Sequence, residues 1–243
     1  MAVHRSPSGQ TSDHAGMITT IRLSAVLVAG PSYWLLPLLP LAWLALQAGL
    51  LITGNRAEFE PVAAQNTLIG FPLAVLAAFL GGRIIAGELD QRTLEIAYTV
   101  PGGARWVWLG KLAAAGLMLL ASLSLMAALT FAFFTPFPTV PTLYGAGQGA
   151  AFHLVAAMGL ATLFRSEVAG AMATMALLAL NLRTALAGLR ISPFWSPLAA
   201  QGADADQLLA MAVQNRIGIA LVIAAIVALT FARAERRERM LGA

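Results

Sequence analysis

Cysteine is absent from the 243 residues, which excludes disulfides, thiol catalysis and cysteine-based metal sites without identifying a compartment. Charge is scarce as well: 11% of residues are Asp, Glu, Lys or Arg, against roughly 25% in a soluble globular domain. Hydrophobic residues make up 59%, more than a water-soluble core absorbs. The net charge is only +4, and the basic residues lie at the ends of apolar runs instead of on one extended face, which argues against nucleic-acid binding. A Gly-x-x-x-x-Gly-Lys-Ser/Thr phosphate loop is missing, because Gly110-Lys111 is followed by Leu112 and has no earlier Gly at the required spacing. No Gly-x-Ser-x-Gly nucleophile motif occurs either.

What is present is a series of apolar stretches of about 20 residues, the length an α-helix needs to cross a hydrocarbon layer of ~30 Å. Runs such as 112–134 and 217–231 do not alternate in polarity, so helices and not barrel strands are expected. The reading is an all-α integral membrane protein with six spans, at about 33–52, 66–85, 108–134, 144–164, 167–185 and 213–231. Residues 1–16 are polar and read as a flexible tail without the order of a signal peptide. Residues 17–30 read as an N-terminal amphipathic interfacial helix broken at Gly30-Pro31, the alternative being the first half of a span. Pro136, Pro138 and Pro141 are expected to make a non-helical turn. Residues 186–207 mix apolar side chains with Pro193, Pro197 and Gly202, predicting short external re-entrant helices before the last span.

Lys and Arg counts orient the chain, since basic residues stay on the cytoplasmic side. With six spans, eleven (Arg5, Arg22, Arg83, Arg92, Arg105, Lys111, Arg165, Arg233, Arg236, Arg237, Arg239) share one side and four (Arg56, Arg183, Arg190, Arg216) the other. Both termini are therefore expected in the cytoplasm, and the chain in the cell inner membrane.

The segment between the second and third apolar runs holds most of the interior charge. Residues 88–98 predict about three helical turns, with Leu89, Thr93 and Ile96 on one stripe and Asp90, Gln91 and Glu95 more exposed, ended by Pro101-Gly102-Gly103. A mixed-charge helix at a membrane surface suits docking of a soluble partner; a solvated loop is the plainer alternative. The order Arg92-Thr93-Leu94-Glu95, Pro101, Arg105 and Gly110-Lys111 resembles the loop between the second and third spans of type-2 ATP-binding-cassette exporter permeases. The six-span plan, the start at 17–30, the turn-rich segment before the last span and the Asn215-Arg216 entry to it extend the resemblance over most of the chain. Family members often carry Gly before the Thr and a hydroxyl or branched residue after the Pro, where this chain has Arg92 and Gly102-Gly103.

That resemblance implies a coupling helix that contacts an ATPase, with Glu88, Arg92, Thr93, Leu94 and Glu95 as contacts and Pro101 and Arg105 shaping the return to the membrane. It implies two ATPase subunits per complex, a second permease subunit, identical or related, and surrounding membrane lipid. ATP and Mg would be bound by those partners, and no cofactor by this chain, which would not itself be an enzyme. The cargo expected is hydrophobic or amphipathic, such as a lipid, drug or antimicrobial peptide, on a path lined mainly by the second and fifth spans. A secondary transporter and a noncatalytic membrane scaffold are the other readings.

Other candidates have structural explanations. Ser122, Ser124 and His153 lie at depths where a protease dyad would sit, but a lone His in a span is more often a packing residue. Met172 and Met175 fit helix packing better than copper binding. Glu167 suits a helix start, where the backbone dipole favours a carboxylate. Arg183 and Arg216 adjoin apolar segments on the external side, where they either snorkel to headgroups or line a path for an anionic group.

Overall fold

A computed structural model describes residues 10–55, 58–90, 93–99, 103–199 and 204–236. All regular structure among them is helical. The helices are α1 (Gln10–Ala29), α2 (Tyr33–Ile52), α3 (Pro61–Arg83), α4 (Ala86–Asp90), α5 (Leu94–Thr99), α6 (Ala104–Phe133), α7 (Thr139–Phe164), α8 (Glu167–Leu186) and α9 (Ala205–Ala234). Six of them, α2, α3, α6, α7, α8 and α9, are long and apolar enough to cross a membrane. Joined in sequence, they run alternately up and down. Arg83, Ala104, Phe164 and Ala234 therefore share one end of the bundle, called here the terminal end. Ile52, Pro61, Phe133 and Ala205 mark the opposite end.

Several boundaries differ from expectation, each for a local reason. Helix α1 already covers Gln10, the first described residue, ahead of the expected start at residue 17, as adding residues to a formed helix costs far less than nucleating one. It stops at Gly30, whose φ of 82° only glycine adopts freely. Over 21–29 its outward positions carry Arg22 beside Leu23, Val26 and Leu27, so this half has no continuous polar face. Pro141 lies inside α7, not in a turn. Its missing N–H falls in the first helical turn, where amide hydrogens have no intrahelical acceptor anyway. Helix α9 begins at Ala205, with the side chain of Asp204 accepting a bond from the Gln207 amide at 2.8 Å.

Helix α2 opens as a 3-10 turn over Tyr33–Leu38 and becomes α-helical from Pro40. Helix α3 contains a π-helical stretch, Ala64–Gly70, immediately before Pro72. A proline ring crowds the carbonyl four residues back, here that of Leu68, and the wider π turn relieves it. The Phe71 amide accordingly donates to Asn66, five residues back.

The core is built on α3 and α7, which are buried along most of their length. They approach closely because Gly81 faces the Leu154 carbonyl and the Ala157 methyl, where any side chain would collide with backbone. Gly170 likewise lets α8 lie against Ala161 of α7. Such small-residue contacts are what hold helices together where lipid removes the hydrophobic driving force. Leu23, Leu120, Phe133, Met172, Leu180, Leu221 and Leu229 are exposed on the outer helices, as a lipid-facing surface requires.

Candidate functional site

The charged segment after α3 is two short helices, α4 and α5, and not the single helix expected over 88–98. Thr93, in neither helix, donates its amide to the Glu88 carbonyl at 2.9 Å. Arg92 and Pro101 lie outside the described residues. Leu94 begins α5, and Glu95 and Thr99 face outward.

Glu88, expected among the partner contacts, is buried. The residue is 7% exposed. Oε1 takes the Lys111 Nζ at 2.6 Å and Oε2 takes the Trp108 indole at 3.0 Å. Lys111 also donates to the Ile84 carbonyl at 3.3 Å. A charge removed from water must be paired and hydrogen-bonded, and both oxygens of Glu88 are used this way.

The rest of the loop is tied as firmly. The Tyr98 hydroxyl donates to the Ala234 carbonyl at the end of α9, at 2.5 Å. Its ring stands edge-on to Trp108, 6.1 Å away, and Trp108 in turn packs on Phe231. Asp90 accepts the Glu167 amide at 3.1 Å, and Glu167 pairs with Arg83 at 3.2 Å. The loop thus holds α3, α6, α8 and α9 at once. Arg105, in the first turn of α6, lies 3.8 Å from Glu235, a solvated pair of little energetic weight.

A second polar cluster, unread from the sequence, occupies the opposite half. The chain from 187 to 199 does not form re-entrant helices. It runs as turns with one 3-10 turn, Pro197–Ala199, since Pro193 and Pro197 cannot donate to a helix. It nevertheless inserts Phe194 and Trp195 into the bundle, at 0% and 4% exposure. The Phe194 ring lies where Cβ atoms on Gly70 and Gly149 would come within 3.1 Å of it, and 5.2 Å from the His153 ring. Gln65, from the π stretch, donates to the carbonyls of Phe194 and Trp195 at 3.4 and 3.3 Å. Asn215 donates to those of Arg190 and Ser192 at 2.5 and 3.0 Å.

His153 is engaged on both ring nitrogens: Nδ1 lies 2.7 Å from the Gly149 carbonyl, and Nε2 lies 3.3 Å from the Asn181 amide. Ser124 donates to Leu120 within its own helix, and Ser122 is buried. Arg216 turns into the bundle: Nη1 donates to Gln148 at 3.0 Å, and the guanidinium sits 5.4 Å over the Tyr144 ring. Arg183 is exposed near the end of α8. The two arginines, similar in sequence context, therefore have different surroundings. No group of three His, Asp or Glu side chains suited to a metal forms among the described residues.

Only Gln65, Asn181, Ser192 and Asn215, polar residues interrupting apolar runs, signalled the second cluster in the sequence. The bonds that tie this cluster across elements span 11 to 130 residues, beyond the reach of local pattern. Comparison with family models, curated proteins and solved structures finds no match for this chain.

Proposed function

We propose that the chain is the membrane-spanning permease subunit of an ATP-driven exporter, powered by separate ATPase subunits docking on the loop between α3 and α6. The observation that carries this reading is the mechanical position of that loop. Glu88, Tyr98 and Asp90 bind it to α6, α9 and α8, it continues directly from α3, and Glu95 and Thr99 remain outward. A partner that pushes on the outward side moves four spans together, which is what rigid-body switching between two states needs. In this reading Thr93, Leu94 and Glu95 face the ATPase with Arg92, Arg105 stabilises the return into the membrane with Pro101, and Glu88 transmits the movement without touching the partner. The terminal end is then cytoplasmic.

An apolar groove of about 360 Å³ between α2 and α3, lined by Leu39, Trp43, Phe71, Val75 and Phe79 among others, supports a hydrophobic or amphipathic cargo. A second permease subunit encloses the path.

The test is affinity purification from gently solubilised native membranes. Recovery of an ATPase with the wild-type chain, lost with Thr93→Pro and Glu95→Arg while both variants still insert, is the expected result. A chain recovered alone would overturn the reading and favour a secondary transporter or scaffold, and an ATPase retained equally by all three proteins would overturn its docking on this loop.

A further inference from the structure

At the end of the bundle opposite the termini, a groove of about 350 Å³ runs between residues 190–191 and α9. Its lining is mostly apolar, with Ile191, Ile219 and Val222 beside Gly218, and it includes Arg190 and Gln214. Gly218 is exposed, and a Cβ there would meet nothing within 4 Å, so the glycine leaves open space instead of admitting a neighbouring helix. Arg190 is exposed and forms no ion pair among the described residues. The nearest acids in sequence on α9, Asp204 and Asp206, stand more than two turns above Asn215, and Asp204 is occupied in capping the helix.

Depth decides what such a groove holds. Counting the ~20 residues that cross the hydrocarbon layer back from Arg233 places the other boundary near residue 213. Arg190, whose carbonyl is bonded to Asn215, is therefore at headgroup level, and Gly218 to Val222 lie below it among acyl chains. A cation at that level above an apolar trough complements a molecule with a negative head and a hydrocarbon tail.

We propose that this groove binds one phospholipid of net negative headgroup charge, its phosphate against Arg190 and an acyl chain along Gly218, Ile219 and Val222. Arg216, one residue from Asn215, takes no part, because Gln148 and Tyr144 already hold it. The site requires nothing of an ATPase, and it holds whether or not the exporter reading does.

The test is native mass spectrometry of the purified full chain titrated with phosphatidylglycerol or phosphatidylcholine of the same chain length. Wild type is expected to retain phosphatidylglycerol about five-fold better, the effect of one basic residue contributing about 1 kcal/mol at a charged interface. Arg190→Gln should abolish that preference, and Gly218→Leu, which fills the trough, should release the retained lipid of either kind. Arg183→Gln, an exposed arginine outside the groove, should change nothing. Equal retention of the two lipids by wild type, an undiminished preference in Arg190→Gln, retention in Gly218→Leu, or an equal loss in Arg183→Gln would each overturn the proposal.

Discussion

The indole nitrogen of Trp43 donates to the carbonyl of Thr67 at 2.8 Å, supplying a bond that the backbone of α3 does not make. In the π register the donor to Thr67 would come from Pro72, which has no N–H, and the Phe71 amide is already bonded to Asn66. The first span thus completes the hydrogen bonding of the second, where an unsatisfied carbonyl has no water to turn to.

Trp43→Phe should therefore destabilise the protein by about 1–3 kcal/mol, the cost of a buried acceptor left without a donor. Restoring an amide with Pro72→Ala should recover most of that loss in the double variant. Thermal unfolding in detergent of the two single variants and the double provides the check; additive losses would show that the two groups do not share a carbonyl.

Removing one member of the Glu88–Lys111 pair strands a buried charge. Glu88→Ala or Lys111→Ala should each cost about 3–5 kcal/mol, whereas Glu88→Leu with Lys111→Met should cost clearly less than their sum. A double-mutant cycle on midpoints of unfolding measures the coupling. Near-additivity would mean the pair is solvated in the membrane-embedded protein.

Gly145 makes room for Gln65, since a Cβ on it would lie 2.5–2.7 Å from the Gln65 amide atoms. Gly145→Ala should cost about 1–3 kcal/mol through overpacking and loosen the Phe194 and Trp195 segment that Gln65 holds. Gln65→Ala in the same chain should relieve the collision. Because the chain has no cysteine, labelling of a single cysteine at Ser196, which is 1% exposed, reads the loosening without background: slow in wild type, faster in Gly145→Ala, with no change counting against the contact.

Tyr98→Phe deletes only the hydroxyl that bonds to Ala234. A neutral hydrogen bond is worth about 0.5–1.5 kcal/mol, so folding should survive. If the chain is the permease proposed above and α5 drives α9, complexes reconstituted with its ATPase should keep ATP hydrolysis and lose transport. Parallel loss of both activities would point instead to weakened ATPase docking.

Much of the architecture was legible because lipid imposes a one-dimensional rule: an apolar run of about 20 residues becomes a helix wherever it falls, since only a helix satisfies its own backbone there. Composition, six spans and the break at Gly30 followed from such local facts. Less was legible in the segment 88–98, whose apolar stripe predicts one helix, whereas Thr93, its amide bonded back to the Glu88 carbonyl, belongs to neither α4 nor α5. The side chain of Glu88 could not be placed from its neighbours in sequence, because its partners come 20 and 23 residues later. Sequence by itself determined which segments are helices and where charge collects, as these depend on solvent and on neighbours within a turn or two. Only the tertiary structure decided which polar groups face inward: Arg216 and not Arg183, Gln65 against Phe194, Trp43 against Thr67. Those choices rest on which helices glycines such as Gly81, Gly145 and Gly170 allow to touch, and on a buried polar group taking the partner that packing brings to it.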